Sequence, residues 1–262
     1  MKISLITACY NVEKTIGETL ASVARQKNAE IEYLIMDGGS TDGTLAQIAA
    51  FVASDAVRQN PKLEVRWTSG RDKGMYDAIN KGIAIATGDV VGILNADDIL
   101  ADDTTLAAIA DAFTEDVDAV YADIRFVREL GGPTVRYCSA RAFRPWMFRF
   151  AVMVPHPSFY CRRELFARYG AYSLDYRICA DFELVMRFLW KHKARTRYLP
   201  RCVVVMRLGG ASTAGIKSNV EINREDLRAL RANGYWSCLP LIYLKYFFKI
   251  WGFVFRRRPR GD

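Results

Sequence analysis

Residues 90–98 read Val90-Val91-Gly92-Ile93-Leu94-Asn95-Ala96-Asp97-Asp98. An unbroken apolar run closed by an abrupt polar one suits a strand buried on both faces, the kind a parallel sheet requires. Toward the amino terminus the same figure recurs. Segments 2–8 (KISLITA), 31–36 (IEYLIM) and 63–68 (LEVRWT) are short and strand-like. Each runs into a turn: Cys9-Tyr10-Asn11, Asp37-Gly38-Gly39-Ser40-Thr41-Asp42-Gly43 and Ser69-Gly70. Between them apolar residues fall at helical spacing: Ile16, Leu20, Val23 and Ala24; Leu45, Ile48, Ala49 and Val52; Met75, Ile79, Ile83 and Ala86. Strands alternating with helices over short loops predict an α/β fold, a doubly wound and mainly parallel sheet with helices on both faces.

Beyond residue 117 the rhythm loosens. Residues 117–127 suit one or two strands and 141–160 are aromatic and basic. Helices are expected near 164–169, 182–192 and 217–232, and a strand over 203–206. No linker, repeat or low-complexity segment interrupts the 262 residues, a length that suits one domain with an extension. We divide the chain into a domain over 1–235, with halves 1–115 and 116–235, and an amphipathic basic tail over 236–262.

With 51% hydrophobic and 25% charged residues, the chain is not disordered, collagen-like or a polytopic membrane protein. Its net charge of +8 invites a nucleic-acid reading. Residues 241–262, however, carry Lys245, Lys249, Arg256, Arg257, Arg258 and Arg260 against one acid, Asp262, and so hold five of those eight charges. Charge gathered beside the aromatic run LPLIYLKYFFKIWGFVF points to an anionic membrane surface and away from nucleic acid. Two lysines interrupt the run, leaving it short of the ~20 apolar residues a spanning helix needs. The expectation is a helix lying on the inner face of the cytoplasmic membrane, with packing on the domain as the alternative. The six cysteines (Cys9, Cys138, Cys161, Cys179, Cys202 and Cys238) form no C-x-x-C pair and read as reduced thiols of a cytoplasmic protein. The amino terminus turns polar too early for a signal peptide.

In open α/β sheets, ligands bind beyond the carboxyl ends of the strands. Those ends carry Tyr10 and Asn11, Asp37, Arg71 and Asp72, and Asn95, Asp97 and Asp98, so four strands bring polar groups to one rim. The adjacent carboxylates of Asp97 and Asp98 are costly without a positive partner. A hard cation completed by phosphate oxygens, Mg2+ or Mn2+, supplies one. Asp102-Asp103 reads as a helix cap. Asp37 offers a carboxylate to a nucleobase or ribose edge, while Ser40, Thr41 and Asp42 are assigned to the loop's own backbone. Ser69-Gly70-Arg71-Asp72-Lys73-Gly74 joins permissive glycines to both charges, as a loop around a charged nucleotide would. Arg144, Trp146, Met147, Phe148 and Phe150 form a basic-aromatic group open to either an acceptor or the core.

The blocks ITACYNVEKTIGETLASVARQ, EYLIMDGGSTDGT, SGRDKGMYDAINKGIAIATGD and ILNADD, followed by HPSFYCRRELFARYGAY, YRICADFELVMRF and RLGGAST, resemble the inverting glycosyltransferase family 2. Within it they look most like the bacterial branch that builds exopolysaccharide, O-antigen or colanic-acid repeat units. The resemblance covers roughly residues 2–213. It implies a GT-A fold with a nucleotide-binding first half and an acceptor-binding second half. It also implies a nucleotide-sugar donor, usually a uridine diphosphate sugar, with Mg2+ or Mn2+. The acceptor would be a glycan hydroxyl, carried on a polyprenyl diphosphate at the inner membrane.

Residue by residue, the resemblance implies that Ala8 (through its backbone), Tyr10 and Asn11 line the nucleotide site. Asp37 would bind the base with Asp72 near it, and Arg71 and Asn95 would join that site. Asp97 would contact the ribose or metal shell and Asp98 would ligate the metal. Asp181 would be the catalytic base, at the start of the helical pattern Phe182, Val185, Met186 and Leu189. The family usually shows an acid before that aspartate, and here Ala180 stands there, so Glu183 and Asp175 stay open as partners. His156 would lie near the acceptor or diphosphate, and Gly209, Gly210 and Ser212 would belong to a flap that excludes water. Other classes fit less well. A nicotinamide oxidoreductase needs G-x-G-x-x-G after the first strand, where this chain has no glycine. A sugar nucleotidyltransferase would want a glycine-rich, basic first loop. An inactive nucleotide-sugar-binding module would be expected to lack Asp98 or Asp181.

Overall fold

Alternation along β1 (Lys2–Cys9) sorts the core into two layers. Ile3, Leu5 and Cys9 face one way with Ile31, Tyr33 and Ile35 of β2 (Glu30–Asp37), while Ile6 faces the other with Leu34 and Met36. That two-residue period is what a strand covered on both sides produces. The structure, a computed structural model, describes residues 1–208 and 215–254, without the side chains of 215–218 and 247–254.

The first half follows the expected alternation. β1 leads to α1 (Ile16–Ala24), and β2 to α2 (Thr44–Val52) and a short α3 (Asp55–Arg58). β3 (Leu63–Ser69) leads to α4 (Met75–Ile85) and β4 (Val90–Ile93). These strands pair in parallel in the order β3-β2-β1-β4. Next come β5 (Ile99–Leu100), α5 (Thr105–Asp111), β6 (Ala119–Val127), β7 (Thr134–Cys138), β8 (Tyr160–Arg162), α6 (Glu164–Tyr169), α7 (Ala180–Met186), β9 (Thr196–Arg207), α8 (Gly215–Ala232) and α9 (Leu239–Val254). The whole sheet of described strands runs β3-β2-β1-β4-β8-β6-β9-β5, with β7 against β6. Its long pairings, including β6 with β9, are parallel, and those of β8, β5 and β7 are short and antiparallel. α1, α2 and α5 pack on one face and α4, α6 and α7 on the other. The sheet is therefore mixed and mostly parallel, with helices on both faces, a GT-A-like fold.

The second half departs from a simple winding at β8, a three-residue strand wedged antiparallel between β4 and β6. Gly92 makes the wedge possible. It pairs with Tyr160, and a Cβ on residue 92 would run into the Tyr160 ring. β9 begins at Thr196, ahead of the expected 203–206, because it pairs with β6 along its length.

Over its described side chains, the start of the carboxyl-terminal helix follows the alternative expectation and packs on the domain. Ile242 and Lys245 of α9 are buried, and the Lys245 ammonium is paired with Asp226 of α8 at 2.8 Å. Tyr235 Oη donates to the Trp146 carbonyl (3.2 Å) and Ser237 Oγ to that of Arg149 (2.7 Å). Packing thus continues across residues 235 and 236, and Lys245 is a core partner of Asp226 and not a snorkelling lysine. No described helix is long and apolar enough to cross a membrane.

Candidate active site

One cleft of about 2130 Å3 opens at the carboxyl ends of β1, β6 and β9. Ala8, Tyr10, Asn11, Arg71, Asp72, Asn95 and Asp97 line it from the first half, and His156 and Asp181 from the second. Asp37 and Asp98 are not on its wall, and Gly209, Gly210 and Ser212 lie outside the described residues.

The first turn is shaped by Asn11, whose φ of 50° is left-handed, a conformation asparagine tolerates. Its Oδ1 accepts the Thr41 amide (2.8 Å), while its own amide donates to Ser40 Oγ (2.8 Å). Asp42 accepts the amides of Glu13 and Thr44. Ser40, Thr41 and Asp42 thus serve the loop, as expected. Held this way, the first turn leaves Tyr10 60% exposed at the mouth of the cleft, an aromatic face open for stacking.

Asp37 does not project into the cleft. Its carboxylate is buried and accepts the Gly39 and Ser40 amides (2.9 and 3.0 Å) and the hydroxyls of Ser40 and Ser69 (2.5 and 2.6 Å). Burial would raise this group, but the Ser40 and Ser69 hydroxyls and the two amides outweigh it and hold it below the usual carboxylate range. Asp37 ties the β2 turn to β3. The carboxylate that reaches the cleft here is Asp72, whose Oδ2 lies 3.3 Å from where a Cβ on Gly38 would stand, beside the Tyr10 ring. Lys81 pairs with it from α4.

At the end of β4 the structure reverses the expected order of the adjacent carboxylates. Asp98 is 1% exposed, accepts Asn95 Nδ2 (2.8 Å), and its carbonyl accepts Thr19 Oγ1 (2.8 Å). Burial, helped by the Asp97 charge and opposed by Asn95, pushes its carboxyl up to about 7. Asp98 is thus tied to α1 through its carbonyl and to Asn95 through its carboxyl, and it does not line the cleft. Asp97 takes the wall, half-buried, and its carboxylate accepts no hydrogen bond among the described residues. Its carbonyl accepts Arg207 Nε (3.3 Å), and Arg207 also pairs with Glu18, so a guanidinium is fixed beside it in the cleft. One free carboxylate near a wall amide, Asn95, fits a hard cation that takes its remaining ligands from phosphate oxygens and water. No cluster of three or more acidic, histidine or cysteine ligands stands among the described residues. Asp102 does not cap α5, whose first residue follows Thr104; it holds the turn before the helix, accepting the Thr104 amide at 2.8 Å and pairing with Arg201.

In the second half, Asp181 sits in the first turn of α7 and lines the cleft. Its two expected alternatives do not. Glu183 is buried in a bidentate pair with Arg187 (2.9 and 3.0 Å) and accepts Asn233 Nδ2. Arg187 in turn takes the carbonyls of Tyr169, Gly170 and Ala171. Asp175 is exposed, and among the described residues its carboxylate bonds only to Ser173 within its own turn. His156 Nε2 lies 2.7 Å from Tyr172 Oη. Burial holds its imidazole below the usual range, against the opposing charge of Asp181, so it is neutral near pH 7. The basic-aromatic group is divided by the fold. Phe148 is fully buried, Met147 lines the cleft, Trp146 is 57% exposed, and Arg144 caps the Arg141 and Phe143 carbonyls.

Sequence reasoning missed Tyr76, Asn80 and Tyr172. Tyr76 Oη donates to the Ile178 carbonyl (2.7 Å), its ring stacks on Tyr172 at 5.4 Å, and Asn80 brackets the Tyr172 backbone with two hydrogen bonds. The available signal was the spacing of four between Tyr76 and Asn80 on α4, one helical turn. Met75, expected inside, is half-exposed and lines the cleft.

Residues 4–170 match the model of glycosyl transferase family 2, and the chain belongs to that family. It is 34% identical, over 87% of its length and 83% of the relative's, to a PGL/p-HBAD biosynthesis glycosyltransferase of Mycobacterium tuberculosis. It is 30% identical, over 71% of its length and 68% of the other's, to a second glycosyltransferase of that organism. Among solved structures it resembles S. aureus TarS 1–349 in complex with UDP-GlcNAc (TM-score 0.68, 20% identity, 99% of this chain and 77% of that one). It also resembles glucosyl-3-phosphoglycerate synthase from Mycobacterium tuberculosis in complex with Mn2+, UDP and phosphoglyceric acid (TM-score 0.60, 18% identity, 90% and 80%). The chain is a glycosyltransferase.

Proposed function

We propose that this glycosyltransferase is inverting, and that it moves a sugar from a uridine diphosphate sugar to a hydroxyl of a lipid-linked glycan during assembly of a bacterial surface polysaccharide. The reading is carried by one observation: Asp97 and Asp181 reach the same cleft from its two halves. A volume of about 2130 Å3 exceeds the roughly 300–1,000 Å3 of an ordinary ligand pocket, leaving room for donor and acceptor together.

Tyr10 stacks on the base and Asp72 hydrogen-bonds its edge, while Ala8 and Asn11 border the nucleoside. Arg71 and Arg207, both on the wall, balance the charge of the departing diphosphate. Asp97 with Asn95 would hold Mg2+ or Mn2+, which when bound adds further positive charge at the diphosphate. Asp181 accepts the proton of the acceptor hydroxyl, whose oxygen attacks the anomeric carbon from the face opposite the leaving group. The sugar–phosphate bond breaks with its electron pair going to the diphosphate, so a single displacement inverts that carbon. His156, neutral and anchored on Tyr172, borders the acceptor. The arginines at 256–258 and 260, outside the described residues, support peripheral docking on the anionic inner face of the cytoplasmic membrane.

The test is a thermal-shift screen of nucleotides and nucleotide sugars, with and without Mn2+, on the wild type, Asp97→Asn and Asp98→Asn. Protection by UDP that needs Mn2+, is lost in Asp97→Asn and survives in Asp98→Asn is the expected pattern. No nucleotide protection of the wild type would refute the donor assignment. Equal protection of all three proteins would remove Asp97 from the site. Replacing the four arginines with glutamine should reduce co-sedimentation with anionic vesicles, and unchanged co-sedimentation would overturn the docking.

A further inference from the structure

The three residues leading into α7 have no secondary structure to satisfy their amides, yet all three amides are paired with one side chain. Glu225, in the middle of α8, accepts the backbone N–H of Arg177 on Oε1 (3.0 Å) and those of Ile178 and Cys179 on Oε2 (both 2.9 Å). On the opposite side of the same segment, Tyr76 Oη donates to the Ile178 carbonyl at 2.7 Å. The Cys179 carbonyl then begins α7 by accepting the Glu183 amide (3.0 Å). Asp181 follows two residues after this doubly gripped stretch.

We propose that Glu225 is the positioning residue for Asp181. Resting on the reading of Asp181 as the base, this extends the site to a helix that contributes no group to the transfer itself. A carboxylate accepting several amides makes charge-assisted hydrogen bonds, roughly twice as strong as neutral ones. Grouped on one glutamate, they set both the height and the direction of the α7 amino terminus. The tyrosine on the carbonyl side prevents the segment from rotating about that anchor. A general base must lie within hydrogen-bond reach of the proton it takes, and a misplacement of about 1 Å from a distant change can cost on the order of 10²-fold. Glu225 is absent from the cleft wall, so its influence on the reaction passes through the backbone of residues 177–179.

The experiment compares Glu225→Gln, Glu225→Asp and Asp181→Asn for kcat, donor KM and UDP affinity. Glu225→Gln swaps one acceptor oxygen for a donor facing amides, so kcat should fall about 10- to 100-fold, with donor KM and UDP affinity within about two-fold of wild type. Glu225→Asp keeps the charge on a shorter arm and should recover part of the loss. A Glu225→Gln kcat within two-fold of wild type, beside an inactive Asp181→Asn, overturns the positioning role. So does a rise in donor KM that matches the fall in kcat. Full activity of Asp181→Asn instead refutes the base assignment on which the proposal rests. If Glu225→Gln does not fold, Tyr76→Phe loosens the other side of the same segment. It should lower kcat in the same direction by a smaller factor, and an unchanged kcat there overturns the proposal.

Discussion

The two halves of the cleft hold their chemistry by different means. In the first, a residue is secured by its own turn or the turn beside it. Asp37 is held by Gly39, Ser40 and Ser69, and Asn11 by Ser40 and Thr41. In the second, partners come from far along the chain: Tyr76 for Ile178 and Asn80 for Tyr172. Turn chemistry riding on a parallel sheet builds the first half of the cleft, and tertiary packing assembles the side that carries Asp181. Substitutions remote in sequence should therefore reach the reaction mainly through the second half.

Asp181→Asn puts the contrast at greatest risk. Transfer should drop by about 10²–10⁴-fold while UDP binding persists, measured by initial rates and calorimetric titration. Near-normal rates would leave the second half without its base. Lys245→Met strips a buried carboxylate of its partner and should cost on the order of 3–5 kcal/mol of stability, read from urea unfolding. A loss below roughly 1 kcal/mol would mean that α9 is an appendage, not a wall of the second half. Truncation from residue 241 would remove Ile242 and Lys245 together, so it tests packing as much as membrane contact.

Asp37→Ala leaves two amides and two hydroxyls of the first half without their acceptor, and should cost about 1–3 kcal/mol. An unchanged melting temperature would show that water replaces the carboxylate and that the turn is not held from within. A smaller effect concerns Glu32 under the sheet. Burial would raise its carboxyl, yet hydrogen bonds from Ser4 Oγ and from the Thr87 amide and hydroxyl, with the Arg66 charge, bring it down to about 2. A carboxylate lowered in the folded state contributes stability that is complete above its unfolded value near 4.5 and fades as pH falls toward 2. The stability gap between wild type and Glu32→Gln should thus be widest at neutral pH and narrow between pH 4.5 and 2. A gap independent of pH would deny the charge any role.

Reading the first half from sequence worked because each strand there is followed by its own turn and helix. The β4 run ending in Asn95-Ala96-Asp97-Asp98, and the Asp37 turn, announce a rim without knowledge of distant residues. The failures within that rim share one cause. Adjacent side chains on an extended or turning backbone point opposite ways, and a sequence does not say which way is in. Asp98 turns its carboxyl onto Asn95 and Asp97 lines the cleft, while Asp37 faces its own turn and leaves the cleft to Asp72. In the second half, β8 is three residues long, too brief for a periodicity, and is visible only once β4 and β6 flank it.

Sequence alone determined the α/β winding, the family and the set of carboxylates from which the site is drawn. Those follow from local periodicity, turn residues and ordered motifs, all short-range properties of a chain. Only the tertiary structure decided which carboxylates reach the cleft, that Glu183 and Asp175 are turned away from it, and that Lys245 belongs to the core. Burial and hydrogen-bond saturation depend on what packs opposite a residue, and that neighbour is usually encoded dozens of positions away.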